Sequence, residues 1–163
     1  MNHMTMPLEQ TENPHIADMN VTQVTFETGI KFILAVVYIH PRTPFPNIQT
    51  YFAQYLLPYA NSTKNARTPM LLMGDFNVDD KNHSKLSQYL STHFELELQN
   101  DIKQSTTLGE TCIDLTYSRY INVDCRPFVS YFTYHRPVLN KIRFRINRSG
   151  LESLIDEKTN SPM

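Results

Sequence analysis

The chain has 163 residues, with 15 Lys and Arg against 16 Asp and Glu and a formal net charge of -1. That length suits one domain or part of a larger one, and 9 Phe with 9 Tyr bring enough apolar area to argue against disorder. Near-neutral charge excludes a global pull on nucleic acid, and two cysteines are too few for a disulfide scaffold.

Residues 1–20 are polar, with Pro7 and Pro14 and little periodicity, and read as a poorly ordered lead-in. Val24 and Phe26 alternate with polar residues as in a strand, and Thr28-Gly29 marks a tight turn. The run from Ile30 to Ile39 is continuously apolar and predicts a strand buried on both faces. At this length it falls well short of the roughly 20 residues a bilayer helix needs, and no membrane association is expected. Met1 to Gln10 has no secretory pattern. The two cysteines then read as reduced thiols in an intracellular setting, nuclear or cytoplasmic.

Three prolines between Pro41 and Pro46 impose a loop. Ile48, Tyr51, Phe52, Tyr55 and Leu56 follow helical spacing, which Pro58 limits to about three turns. Met70 to Met73 is a short buried strand running into Gly74-Asp75-Phe76-Asn77. Leu86, Tyr89 and Leu90 mark a second amphipathic helix. Phe94, Leu96 and Leu98 alternate with Glu95 and Glu97 as a half-buried strand. Segments 113–118 and 128–132 are further strand candidates, and Ile142, Phe144 and Ile146 alternate with basic residues in a last strand. Residues 147–163 read as a polar tail. About seven strands and two or three short helices predict an α/β layered domain with a mixed sheet over 21–146.

Three stretches can carry chemistry. Asp75 and Asn77 stand two apart at a strand end, so in extended geometry they point the same way, with Phe76 turned into the core. A carboxylate beside an amide can accept a proton from water and hold a phosphoryl oxygen. The competing reading is an Asx turn that only satisfies backbone groups. Asp114 is an acid inside a strand-like run, where burial demands a partner such as an oriented histidine. Otherwise it caps a neighbouring loop. His135 precedes Arg136-Pro137 and, taken alone, reads as a half-buried surface histidine. The remaining histidines, Cys112 and Cys125 show no zinc spacing, and no Walker or dinucleotide loop is present. Arg136, Lys141, Arg143 and Arg145 are candidate phosphate contacts, against the alternative of a charged, soluble edge strand.

In chain order the sequence has an apolar strand ending in Tyr38, then GDFN at 74–77, IDLTYS at 113–118 and YHRPV at 134–138. This order resembles the C-terminal half of the endonuclease/exonuclease/phosphatase superfamily, the Mg-dependent phosphodiesterases. The wording CIDLTYSRY with SYFTYHRPV is similar to an arthropod subgroup joined to Helitron-like helicases. The resemblance implies a partial four-layer α/β sandwich with mixed, mainly antiparallel sheets. It implies that Asp75 activates water, Asn77 positions it, His135 stabilises charge on the phosphate, Asp114 orients the imidazole, and Tyr38 faces the same phosphate. It also implies a nuclease acting on nucleic acid, DNA first, with Mg2+ or alternatively Mn2+ held weakly by Asp75 and Asn77. Two departures stand out. Tyr134 occupies the place of the acid before the histidine, and no strand upstream of residue 24 is expected to carry the family's Asn and Glu. The chain therefore reads as a truncated, weakly active or inactive form. The alternatives are a non-catalytic, nucleic-acid-binding remnant of a mobile-element helicase protein, with a missing N-terminal half or fused helicase as partner, and a phosphatase of the same superfamily.

Overall fold

The computed structural model describes residues 3–13, 15–60, 68–79 and 85–143. Its centre is a six-stranded sheet built from β1 (His3–Asn13), β2 (Ala17–Phe26), β3 (Lys31–Ile39), β4 (Met70–Asp75), β6 (Asp114–Arg119) and β5 (Glu97–Leu98), in that spatial order. Only β3 and β4 pair in parallel; every other neighbour is antiparallel. A two-stranded antiparallel sheet, β7 (Asn122–Pro127) and β8 (Val138–Arg143), forms a second layer. The helices are α1 (Phe45–Tyr55), α2 (Leu57–Ala60) and α3 (Lys85–Phe94). The mixed α/β class and the mainly antiparallel pairing are as expected.

The helices cover one face of the large sheet. Ile48, Tyr51 and Phe52 of α1 and Leu86, Leu90 and Phe94 of α3 pack with Val37, Ile39, Leu72, Leu115 and Tyr117 into the main core. Phe76 is fully buried there, its ring 5.4 Å from Tyr117 and 6.4 Å from Phe52. The opposite face is covered at one end by the small sheet, where Val24, Phe32, Leu71 and Ile121 meet Val123 and Ile142.

Several expectations need correction. The lead-in is not without structure: β1 pairs along β2 from His3 to Asn13, with a register shift between Pro7 and Glu9. Polar alternation at an edge strand leaves little hydrophobic period to read. The strand at 30–39 is not buried on both faces, since Val36 is 45% and Tyr38 40% exposed. Within 94–98 only Glu97–Leu98 is strand; Phe94 ends α3, and Glu95 and Leu96 are loop. Residues 128–132 form an exposed loop, and the strand before it is Asn122–Pro127. Aromatic and β-branched composition is shared by strands and by this loop, so composition misplaced it. Arg145 and the tail at 147–163 lie outside the described residues.

Candidate active site

The register of the large sheet sets up the site. Asp75 is the Cα partner of Tyr38 on one side and of Asp114 on the other. Tyr38 in turn pairs with Asp18, and Asp18 with Glu12. Row neighbours across a sheet share a face, so Tyr38, Asp75 and Asp114 stand on the face away from the helices.

Gly74 makes the end of β4 possible. Its φ is +149°, and a Cβ there would overlap the Val37 carbonyl oxygen and sit 2.8 Å from the Val37 carbonyl carbon. No side chain fits against β3 at that point. Phe76 then donates its N–H to the Ile113 carbonyl at 2.9 Å. The chain turns at once, because Asn77 adopts φ +49°. Asn77 N–H donates to Asp75 Oδ1 at 2.9 Å, and Asn77 Nδ2 donates to the Ile39 carbonyl at 2.8 Å. Asp75 and Asn77 are thus arranged by an Asx turn rather than by extended spacing. The turn and the chemical role are compatible: one carboxylate oxygen holds the turn while Oδ2 faces the cleft.

His135 closes the site. Its Nδ1 lies 2.9 Å from Asp114 Oδ2 and 3.1 Å from Oδ1, and its Nε2 lies 3.9 Å from Asp75 Oδ2. The histidine reaches this position through a bridge to Thr107 and a hydrogen bond from Arg136 N–H to the Thr106 carbonyl, 2.7 Å. The hydrogen bond to Asp114 raises the His135 pKa above its ordinary value; partial burial opposes this and the charges of Asp114 and Asp75 reinforce it. Burial raises the Asp75 pKa, the Asn77 N–H opposes, Asp114 adds to the rise, and His135 opposes. The cleft has a volume of about 440 Å³ and is lined by Asp75, Asp114, His135, Val36, Met73 and Asn140 among others.

Supporting residues escaped the sequence reading. Thr106 Oγ1 accepts both Ile113 N–H and Asp114 N–H at 3.0 Å. Asn100 donates to the Asp114 carbonyl at 3.1 Å and accepts Thr116 N–H at 2.7 Å. These two side chains fix the start of β6 and so the Asp114 carboxylate. Each is a small polar residue in a loop, with no pattern to single it out.

The basic candidates are placed differently. Arg136 lines the cleft, but its Nη1 donates to Ser105 Oγ at 2.7 Å. Lys141 and Arg143 are exposed on β8, while Asn140 and Ile142 between and beside them turn inward. Lys141 is the cross-strand partner of Asp124, whose carboxyl is held below its ordinary value by the Arg126 hydrogen bond first, with Arg143 and Lys141 nearby. Tyr134 does not stand in for the missing acid. It is 55% exposed, its ring meets His135 edge-on, and its hydroxyl lies over Gly109.

Asp75, Asp114 and His135 each offer one ligand atom, all within 4.8 Å of one another, and could hold a metal ion. Two carboxylates suit a hard divalent cation, which completes its shell with water and phosphate oxygens. His135 meets Asp114 through Nδ1, which leaves Nε2 facing Asp75.

No protein-family model matches the sequence, and no curated protein matches it. Solved structures do. The human Nocturnin catalytic domain with bound sulfate anion superposes with a TM-score of 0.60 at 15% identity, covering 85% of this chain and 60% of that one. An endonuclease/exonuclease/phosphatase family protein from Bacteroides thetaiotaomicron gives 0.54 at 13%, covering 85% and 66%. One from Leptotrichia buccalis gives 0.53 at 15%, covering 88% and 61%. This chain spans about three fifths of the length of these neighbours. Over most of its residues it has the fold of endonuclease/exonuclease/phosphatase family proteins.

Proposed function

We propose that the chain is a divalent-cation-dependent phosphodiesterase of the nuclease type, acting on nucleic acid, DNA first, with low intrinsic activity. The reading rests on one observation above others: Asp114 holds His135 Nδ1 so that Nε2 faces Asp75 across the cleft. Hydrolysis of a phosphodiester needs a base for the attacking water and positive charge where the phosphoryl oxygens gain negative charge. Asp75, whose pKa burial raises above the ordinary carboxylate value, suits the base. The Asp114 hydrogen bond raises the His135 pKa and so favours the charged ring. The Asn77 carbonyl oxygen stays available to position water, since its Nδ2 is spent on Ile39. Tyr38, beside Asp75 in register, would border the phosphate.

Mg2+, or Mn2+ in its place, would be held by the Asp75 and Asp114 carboxylates with Asn77 as an auxiliary oxygen ligand, and would polarise the phosphoryl oxygens. Two carboxylates hold Mg2+ weakly, which is the reason for the low activity. Arg136 at the cleft and Lys141 and Arg143 on β8 would contact the nucleic-acid backbone, with Arg145 added from its sequence position alone. A chain with two cysteines, too few for a disulfide scaffold, supports an intracellular setting, nuclear or cytoplasmic. The sequence wording at 112–120 and 130–138 supports an origin in a Helitron-like helicase protein, with that helicase as partner.

The test is single-turnover cleavage of a labelled DNA oligonucleotide at large enzyme excess, with Mg2+ or Mn2+ and with chelator. Slow, cation-dependent cleavage that disappears in Asp75→Asn and in His135→Ala is expected. Cleavage that survives both substitutions, or none under any of these conditions, overturns the proposal.

A further inference from the structure

Among the described residues, the most exposed aromatic side chains lie on a loop that runs into the site. In the loop between β7 and β8, Phe132 is 96% exposed, Tyr131 89%, Val129 70% and Phe128 50%. Leu108 on the adjoining loop is 57% exposed and Tyr134 55%. Leaving this much aromatic surface in water forgoes roughly 25 cal/mol for each Å², so a bound partner that covers it gains that amount.

The loop is held at both ends. Phe128 N–H donates to the Pro137 carbonyl at 2.8 Å, and Leu108 N–H to the Tyr134 carbonyl at 2.9 Å. Thr133 Oγ1 donates to the His135 carbonyl. Thr133 and His135 both line the cleft, so Phe132 stands next to a cleft residue and three residues from His135. Three residues of chain reach at most about 11 Å. The Phe132 backbone therefore lies within that distance of His135, close enough for one extended ligand to reach both.

Charge narrows the choice of partner. Among the described residues 125–143 there is no acidic residue and there are four basic ones, Arg126, Arg136, Lys141 and Arg143. Arg126 is paired with Asp124, which leaves Arg136 at the cleft and Lys141 and Arg143 exposed on β8. Aromatic side chains in a cationic, acid-free segment next to a phosphate-directed site match a polyanion with flat apolar faces. Paired bases hide those faces in the stack, whereas unpaired bases offer them to aromatic rings.

We propose that Phe132 and Tyr131 form a stacking platform for unpaired nucleobases next to the scissile phosphate, so that the preferred substrate is single-stranded. The proposal rests on the nuclease reading of the site. Stacking of a base on an aromatic side chain is sequence-tolerant, so the platform confers strand-type preference without sequence preference.

The chain contains no Trp, which makes a direct test available. Phe132→Trp places a single indole at the platform. Titration of this variant with oligo-dT should quench its fluorescence, and a duplex of equal length should quench it far less. By anisotropy, Phe132→Ala should weaken oligo-dT binding about 10-fold, and Phe132→Trp should restore it. Hydrolysis of bis-p-nitrophenyl phosphate, too small to reach the loop, should be unchanged in both variants. Equal quenching by duplex, no change in oligo-dT affinity in Phe132→Ala, quenching that depends only on protein concentration, or a response to anionic phosphatidylserine vesicles but not to oligo-dT would each overturn the platform. Absent hydrolysis of the small diester together with intact, loop-dependent oligo-dT binding would instead count against the nuclease reading and leave the platform standing.

Discussion

His135 presents Nδ1 to Asp114 at 2.9 Å and Nε2 to Asp75 at 3.9 Å, so one imidazole joins two carboxylates that are themselves partners across β4 and β6. Asp114 decides which nitrogen carries a proton when the ring is neutral, and it favours the charged ring. Asp114→Asn should therefore lower the His135 pKa and reduce phosphodiester cleavage by about 100-fold. The sign follows from the raised pKa. The stabilisation from this pair is complete below the ordinary histidine value of about 6.5 and fades as pH rises through the higher folded value. An NMR titration of the His135 ring gives the answer, and an unchanged pKa in the variant would refute the coupling.

The linkage at Asp75 has the same sign, although its cause is burial and not a partner. Burial raises its pKa, so ionising Asp75 costs the folded state more than the unfolded chain. The protonated form favours folding most at pH values below the ordinary Asp pKa of about 3.9, and that advantage is lost as pH rises through the folded value. Asp75→Asn keeps an acceptor for the Asn77 N–H and removes the charge facing Asp114. The variant should be inactive yet melt at a higher temperature than the parent at pH 7, with the difference shrinking near pH 3.5. Thermal melts at the two pH values test this, and a lower melting temperature at pH 7 would contradict it.

Gly74 is fixed by sterics rather than by flexibility. Its φ of +149° and the Val37 carbonyl leave no room for a methyl group. Gly74→Ala must push β3 and β4 apart at the point where Asp75 leaves the sheet. A loss of at least about 2 kcal/mol is expected, with cleavage impaired in whatever protein stays folded. Urea unfolding of the variant measures the loss, and an unchanged midpoint would show that the strands can part without cost.

The α/β class with a mixed sheet was legible from alternating apolar runs and short helical periods. GDFN stood out as a glycine, an acid and an amide at a strand end, and Asp114 because a strand acid needs a partner, which the structure supplies in His135. The Asx turn and the chemical reading of Asp75 looked like rivals in sequence, yet the two oxygens of one carboxylate serve both. Coverage of a sheet face is different. Val36 and Ala35 are both apolar, but one is 45% exposed and the other 0%, a contrast set by which layer lies above each and not by residue type. Thr106 and Asn100 were invisible for a similar reason, since their partners at 113–116 come together only through the fold.

Arg119 shows how far charge alone misleads. A basic residue at the end of β6 reads as surface, yet it is 4% exposed. Its guanidinium donates to the carbonyls of Ala60 at 2.9 Å, Phe94 at 3.4 Å and Thr68 at 3.3 Å. Ala60 and Phe94 are the last residues of α2 and α3. Helix C-termini leave carbonyls unsatisfied and carry negative partial charge, and one planar fork of five donors can serve both ends at once. Burial lowers the Arg119 pKa, with Tyr120 and Glu95 opposing, but arginine stays charged throughout the working range. Arg119→Met keeps the volume and orphans the carbonyls, so it should cost about 3 kcal/mol. Arg119→Lys, with a single ammonium, should recover only part of that. Urea midpoints for the two variants separate the roles of charge and fork: equal losses would assign the effect to the fork, and a full rescue by lysine would assign it to charge alone.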